Sequence, residues 1–156
     1  SAALVVDEHP VSGAVFNPAQ GEMFEAKKGG GARLNGAPIK VSATTDPTKA
    51  RFLASEQTFR AHNWPEVAEG AEFDFVNSMA YRMAVVANGR FDATITTTNK
   101  SEWDIAAAHL IVEEAGGSVT NVDGPRITYN REHVHHDNVL CAGKKLHDAL
   151  VAGLKG

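Results

Sequence analysis

The apolar residues of this chain change their spacing partway along, and that change restricts the fold more than any other feature. Through Val41 they come in short runs separated by turn residues, as in half-buried strands. Ala2–Val6, Val11–Phe16, Met23–Ala26, Ala32–Leu34 and Ile39–Val41 read as strands. Asp7-Glu8-His9-Pro10 and Asn17-Pro18-Ala19-Gln20-Gly21 read as the turns between the first of them. Asn35-Gly36 is the strongest hairpin signal, because a type I′ turn needs φ > 0 at both central positions. An antiparallel meander over residues 1–42 is the simplest account. Phe52–Ser55 reads as a further strand, and Thr58–Gly70 as a helix interrupted by Pro65.

From Val76 the spacing is helical. Val76, Met79, Ala80, Met83, Ala84 and Ala87 occupy one face of a helix that closes at Asn88-Gly89, a good C-cap. Phe91–Ile95, Ser118–Val122 and Val139–Ala142 read as strands, and Ile105–Ala115 and Leu146–Leu154 as helices. The expected class is α/β, layered in the α+β manner, with strands of one sheet region over 1–42 and an α/β portion over 48–156. No repeat or low-complexity linker separates them, so a single partial domain is expected.

Composition narrows the function classes. With 156 residues, 43% of them hydrophobic, the chain can build a core. A formal net charge of −4 argues against a nucleic-acid binder. No apolar run approaches the ~18 residues of a membrane span. Cys141 has no cysteine to pair with, which fits a reducing cytoplasm. The chain runs from Ser1 directly into Ala2–Val6, without Met or leader, and reads as entering in mid-fold.

The most informative segment is Ser101-Glu102-Trp103-Asp104-Ile105-Ala106-Ala107-Ala108, continuing to Glu113-Glu114-Ala115-Gly116-Gly117. Ser101 and Asp104 have the spacing of a capping box, with Asp in place of Glu or Gln. Asp104 falls in the first helical turn, where the helix dipole favours a carboxylate. The three alanines keep that turn slim, so another element or a ligand can come close. Asp104 either stabilises the helix start or offers a hard oxygen to a divalent cation such as Mg²⁺, with partners from elsewhere.

Trp103-Asp104-Ile105-Ala106-Ala107-Ala108 with Glu114-Ala115-Gly116-Gly117 resembles the C-terminal signature of the inositol monophosphatase family. Gly13–Phe16 with Asn17-Pro18, Met23-Phe24, Lys28-Gly29-Gly30-Gly31-Ala32 and Leu34-Asn35-Gly36 are similar to the hairpins that precede the family's second half. Ala80 and Val86-Ala87-Asn88-Gly89 match its substrate-side helix. The resemblance implies the C-terminal part of the inositol monophosphatase/fructose-1,6-bisphosphatase-like sugar phosphatase fold. It also implies a Mg²⁺-dependent, lithium-sensitive phosphomonoesterase in which metal-activated water attacks a sugar or inositol phosphate. Asp104 would be the metal carboxylate from this half, with Trp103 packed beneath it. Ser78 and Ala80, at a helix start, would face the substrate. The family's acidic Asp-Pro-Ile-Asp-Gly-Thr motif does not occur in the chain, and in the family both it and the metal-binding Glu-Glu pair lie upstream of the region resembled here. The isolated chain is therefore not expected to catalyse efficiently, and a non-catalytic scaffold or binding module is the alternative of another class.

For substrate, inositol monophosphatases proper place a Glu seven residues before the metal-binding Asp. That position here is Thr97. Lys100 and the Tyr81-Arg82 pair look more like relatives that act as 3′(2′),5′-bisphosphate nucleotidases, where a second phosphate wants cations. Arg82 and Lys100 read equally well as solvated surface charges. The resemblance further implies a small phosphorylated substrate, a homodimer, and neither nucleic acid nor membrane as partner.

Other features read as structural. His133, His135, His136 and Asp137 decorate a loop rather than ligate a transition metal. Lys27-Lys28-Gly29-Gly30-Gly31 lacks the order of a phosphate-binding loop and reads as a β connection. Cys141 reads as inert core, and Glu113 and Glu114 as surface or packing residues.

Overall fold

A computed structural model describes residues 1–154. The first five strands are β1 (Ala2–Val6), β2 (His9–Asn17), β3 (Glu22–Lys27), β4 (Ala32–Leu34) and β5 (Ala37–Pro38). They pair antiparallel in sequence order, as the expected meander. Asn35 and Gly36 have φ values of 49° and 82°, the left-handed pair of a type I′ turn. Two details differ from the expectation. The first turn is Asp7-Glu8 alone, both at positive φ, and His9 and Pro10 already belong to β2. The far arm of the hairpin is Ala37–Pro38 rather than Ile39–Val41. Pro38 has no N–H for a ladder, and the Val41 N–H turns away to donate to Ala115 O at 3.1 Å.

After a 3₁₀ turn at Pro47–Lys49 come β6 (Arg51–Leu53), α1 (Glu56–Ala61), α2 (Pro65–Gly70), β7 (Glu72–Asp74) and α3 (Met79–Ala87). The chain continues through β8 (Ala93–Thr96), β9 (Lys100–Ser101), α4 (Glu102–Glu114), β10 (Gly117–Thr120), β11 (His135–His136), β12 (Val139–Gly143) and α5 (Lys144–Leu154). A second sheet has the order β10-β12-β8-β6-β7, antiparallel through β8 and parallel beyond it. Helices α3 and α4 pack together between the two sheets, and α1, α2 and α5 cover the far face of the second. This is the layered α/β class expected.

The layers explain the sequence of β12. Val139 and Cys141 join the core around α3 and α4, while Leu140 and Ala142 join the core beneath α5. A strand covered on both faces reads as a continuous apolar run rather than an alternation. Cys141 is completely buried, and desolvation pushes its thiol pKa up, so it is inert as expected.

Several boundaries move for local reasons. Ser55 lies outside β6 and caps α1, accepting from the Gln57 N–H at 3.3 Å. Pro65 does not merely interrupt one helix but opens a second, at a first-turn position where its missing N–H costs nothing. Helix α3 begins at Met79, because the Ser78 hydroxyl accepts from the Tyr81 N–H and sets the start there. Helix α4 begins at Glu102, ahead of the expected Ile105. The short strands β7, β9 and β11 carry no recognisable alternation and were not expected from pattern.

Asp92, just before β8, is 2% exposed and ties the linker between the sheets. Burial would raise its pKa. Hydrogen bonds from Ser42, the Arg51 backbone and Thr44 outweigh that and hold it below the usual carboxylate value.

Two buried histidines oppose acid. His147 of α5 meets the Thr120 hydroxyl at 2.9 Å, and His136 stacks edge-on against Tyr129. Desolvation lowers both pKa values from the ordinary 6.5. The unfolded chain therefore takes up protons first as the pH drops through 6.5, and stability rises with pH across the window below that value. Urea midpoints should fall between pH 7.5 and 5.5, with a limiting slope of ~1.4 kcal/mol per pH unit for each histidine. The double variant His136→Gln/His147→Gln should flatten this dependence.

Candidate active site

The site is built on the start of α4. The Ala106-Ala107-Ala108 turn is slim, as read, and what approaches it is β2. A Cβ added at Gly13 would lie 2.9 Å from Ala107 Cα and 3.0 Å from its carbonyl oxygen, so strand and helix meet backbone to backbone. That contact carries the first turn of α4 toward the end of β2, where Asp104 faces a cavity.

The cavity has a volume of about 560 Å³. Its walls are the end of β2 with the following turn (Val15–Pro18), the N-terminal end of α3 (Val76–Tyr81), and Lys100 with Asp104. The open N–H groups and positive dipole of α3 therefore point at the same space as one carboxylate and one ammonium. Among the described residues, no hydrogen bond or ion pair engages the Asp104 carboxylate, which is exposed to the cavity. Lys100 Nζ donates to Thr98 Oγ1 at 2.8 Å and to Asn99 O at 3.3 Å. A second concavity, of about 590 Å³, lies on the outer face of the meander. It is lined by strand residues such as Leu4, Glu25 and Arg33 and holds none of the expected site residues.

Of the residues singled out from sequence, Ser78, Ala80, Lys100 and Asp104 come together in the cavity. Thr97 does not. It is exposed, beyond the end of β8 and outside the cavity wall. Arg82 is neither a solvated charge nor a wall residue. It is 7% exposed, its Nε donates to Val76 O, and its guanidinium lies 4.4 Å from the centre of the Phe75 ring. Desolvation lowers its pKa. Arg82 thus folds the segment entering α3 back onto the helix. Trp103 does not pack beneath Asp104. It is 64% exposed, with its indole edge-on to His135 at 6.1 Å. The helix turns ~100° between consecutive residues, so neighbours in sequence face different surroundings.

The capping box is also absent. Ser101 makes no side-chain cap, and its hydroxyl instead meets His135 Nδ1 at 3.3 Å. The histidine-rich loop returns to pair β11 with β9, opposite Lys100 and Ser101. In it His135 meets Ser101 Oγ and the Trp103 ring, and His136 is buried against Tyr129. No group of three or more His, Cys, Asp or Glu able to hold a metal ion occurs among the described residues. The glycine-rich connection is not a phosphate site either, because the Gly29 and Gly31 N–H groups both donate to Glu114 at 2.8 Å. Glu113 is held below the usual carboxylate range by its hydrogen bond with His109, while burial works against this.

Tyr81 was read as part of a motif beside Arg82, and it is Tyr81 that enters the cavity wall. Its hydroxyl donates to Glu22 Oε2 at 2.7 Å, and Arg90 pairs with the same carboxylate at 2.9 Å. Burial raises the Glu22 pKa, but the bonds from Arg90 and Tyr81 outweigh it and keep the carboxylate ionised. Asn17, at the end of β2, also lines the cavity and carried no signal beyond its turn chemistry.

The chain is similar to known proteins along nearly its whole length. A family model described as the inositol monophosphatase family matches residues 1–155. Inositol monophosphatase 3 of Solanum lycopersicum is 30% identical over 163 aligned residues, covering 99% of this chain and 59% of that protein. A 3′(2′),5′-bisphosphate nucleotidase of Dictyostelium discoideum is 35% identical over 133 residues, covering 76% of this chain and 39% of that protein. The solved inositol monophosphatase of Anabaena (Nostoc) superposes with a TM-score of 0.83 at 26% identity. The match covers 98% of this chain and 64% of that one. The chain thus spans about six tenths of the length of the first of these relatives.

Proposed function

Since the chain belongs to the inositol monophosphatase family, a family of phosphatases, we propose that it forms part of a Mg²⁺-dependent phosphomonoesterase acting on a sugar or inositol phosphate. The observation that carries this reading is the free Asp104 carboxylate, set in one cavity with Lys100 and the N-terminal end of α3. Mg²⁺, when bound, supplies a more acidic water and neutralises phosphate charge. Asp104 suits it as a hard oxygen donor with no competing partner among the described residues. The reading requires further oxygen donors from polypeptide beyond this chain, because one carboxylate does not complete a Mg²⁺ site.

The chain's own residues account for the rest. The first-turn N–H groups of α3 and the Lys100 ammonium draw a phosphate dianion into the cavity. Ser78, at the cap, and the buried methyl of Ala80 leave that helix end low enough for an anion to approach. Tyr81, held by Glu22 and Arg90, forms a fixed aromatic wall for the organic part of the substrate. A cytoplasmic homodimer accompanies this reading.

A second reading is a 3′(2′),5′-bisphosphate nucleotidase, favoured by Thr97 where an inositol-contacting Glu would stand and by the Dictyostelium relative. The test is phosphate release by the complete native polypeptide from inositol 1-phosphate and from adenosine 3′,5′-bisphosphate, with Mg²⁺ and with chelator. Mg²⁺-dependent release is expected, and the preferred substrate decides between the two readings. Hydrolysis of neither would leave the binding-module alternative standing.

A further inference from the structure

We propose that Glu102 is a positioning residue for Asp104, clamping the Asn130–His136 segment onto the first turn of α4; this rests on the metal-site reading of Asp104. Glu102 opens α4, two residues before Asp104, and only 10% of its side chain is exposed. Its Oε2 accepts from the Asn130 N–H at 2.8 Å. Its Oε1 is buried with no hydrogen bond among the described residues, 3.7 Å from Arg131 Nε and 4.0 Å from His136 Nε2. Its backbone N–H donates to Val134 O at 2.9 Å, so the residue is gripped from main chain and side chain by one loop.

The loop is shaped to this end. Asn130, whose N–H makes the bond to the carboxylate, adopts a left-handed φ of 57°, which turns the chain sharply at that point. Arg131 Nη2 donates to His135 O at 3.0 Å and meets His136 Nδ1 at 3.1 Å, closing the segment on itself. The pairing of β11 with β9 then ties it to Lys100 and Ser101, on the other side of the helix start.

A buried carboxylate at a helix start is an expensive choice for packing alone, since an apolar side chain would fill the space without an orphaned oxygen. Its return is geometric. Ser101 provides no side-chain cap, so the first turn lacks the hydroxyl bond that commonly secures a helix start. The Glu102 bond is charge-assisted, hence short and directional, and it links that turn to a second element of the fold. Asp104 lies one residue beyond the exposed Trp103, and its place in the cavity depends on this anchorage.

The test is Mn²⁺ binding, a paramagnetic stand-in for Mg²⁺, followed by electron paramagnetic resonance on the complete native polypeptide. Glu102→Ala should weaken Mn²⁺ binding roughly 10-fold, the scale found when support behind a metal ligand is removed. Glu102→Gln keeps an acceptor for Asn130 and should recover most of that loss. In activity assays the Mg²⁺ requirement should rise while KM at saturating Mg²⁺ stays the same. Should Glu102→Ala not fold, Glu102→Asp, one methylene short of Asn130, decides by the same titration with a several-fold loss expected. A folded Glu102→Ala, or in its place Glu102→Asp, that binds Mn²⁺ as tightly as wild type overturns the proposal and leaves Glu102 a packing residue. Wild type that binds no Mn²⁺ overturns instead the metal-site reading on which it rests.

Discussion

Asp104→Asn, made in the complete native polypeptide, should lower Mg²⁺-dependent phosphate release by roughly 10²–10³-fold, the loss expected when several kcal/mol of metal-borne charge stabilisation are removed. The fold should persist. Asp104 is exposed and, among the described residues, no ion pair or hydrogen bond engages its carboxylate. What the helix loses is a favourable first-turn charge, worth ~0.3–1 kcal/mol. Asn matches Asp in shape and serves helix starts nearly as well. A residue whose only duty is to steady the start of α4 would therefore show a small stability change and full activity. Parallel steady-state assays and urea titrations separate the two roles. Activity within a factor of two of wild type would return Asp104 to the helix and remove the reason for placing a metal in this cavity.

Gly13→Val should be the most damaging single change to the scaffold beneath the site, destabilising by ~1–3 kcal/mol or more through overpacking. By strand propensity alone the substitution should help, because valine suits a pleated strand better than glycine. The opposite is expected here, since the new Cβ would sit 2.9 Å from the Ala107 backbone. Neither backbone is the movable end of a side chain, so α4 must slide or β2 must bend. Either movement displaces Asp104 from the cavity wall, and affinity for Mn²⁺ should fall along with stability. The control is Ala14→Val, one residue on and facing the outer surface of the sheet. It should change stability by no more than ~0.5 kcal/mol. Equal effects from the two variants would mean that strand propensity, not the close approach to α4, governs this position.

Both expectations show which parts of the site were legible in the sequence. Asp104 was legible as a first-turn carboxylate because that signal is local, three residues after Ser101 and just ahead of Ala106-Ala107-Ala108, while its metal role came from the family resemblance. The start of α3 was less sharply legible: the apolar spacing runs back to Val76, and the Ser78 cap that sets the start at Met79 is a bond only three residues long. The meander and the glycine-ended helices follow from periodicity and turn chemistry, which act over a few residues. Some boundaries moved through local capping, as at Ser55 and Pro65, and others where a residue found a distant partner, as Val41 did with Ala115.

Residues whose roles changed lie where distant segments meet. Arg82 and Tyr81 are adjacent, and the stripe of small and apolar residues on α3 singles out neither. The packing of that helix between two sheets sends Arg82 inward to Val76 and Phe75, and Tyr81 to the cavity and Glu22. Trp103 beside Asp104 invited a supporting role, but the helix turn points its indole to His135 and solvent. Glu102 drew no attention within its motif, because its partners are 28 residues and more along the chain.

By itself, then, the sequence determined the element types, the meander followed by alternating α and β, the family, and the carboxylate at the start of α4. The element types and the first-turn carboxylate rest on hydrophobic period, turn geometry and helix-end chemistry, which operate between near neighbours, and the family rests on the resemblance of the segments Trp103–Ala108 and Glu114–Gly117. Only the tertiary structure decided which of two adjacent side chains enters the cavity, that β9 and β11 pair, and that Glu102 rather than Ser101 secures the first turn of α4. Those outcomes depend on contacts between segments far apart in the chain, and no local pattern encodes the angle at which such segments meet.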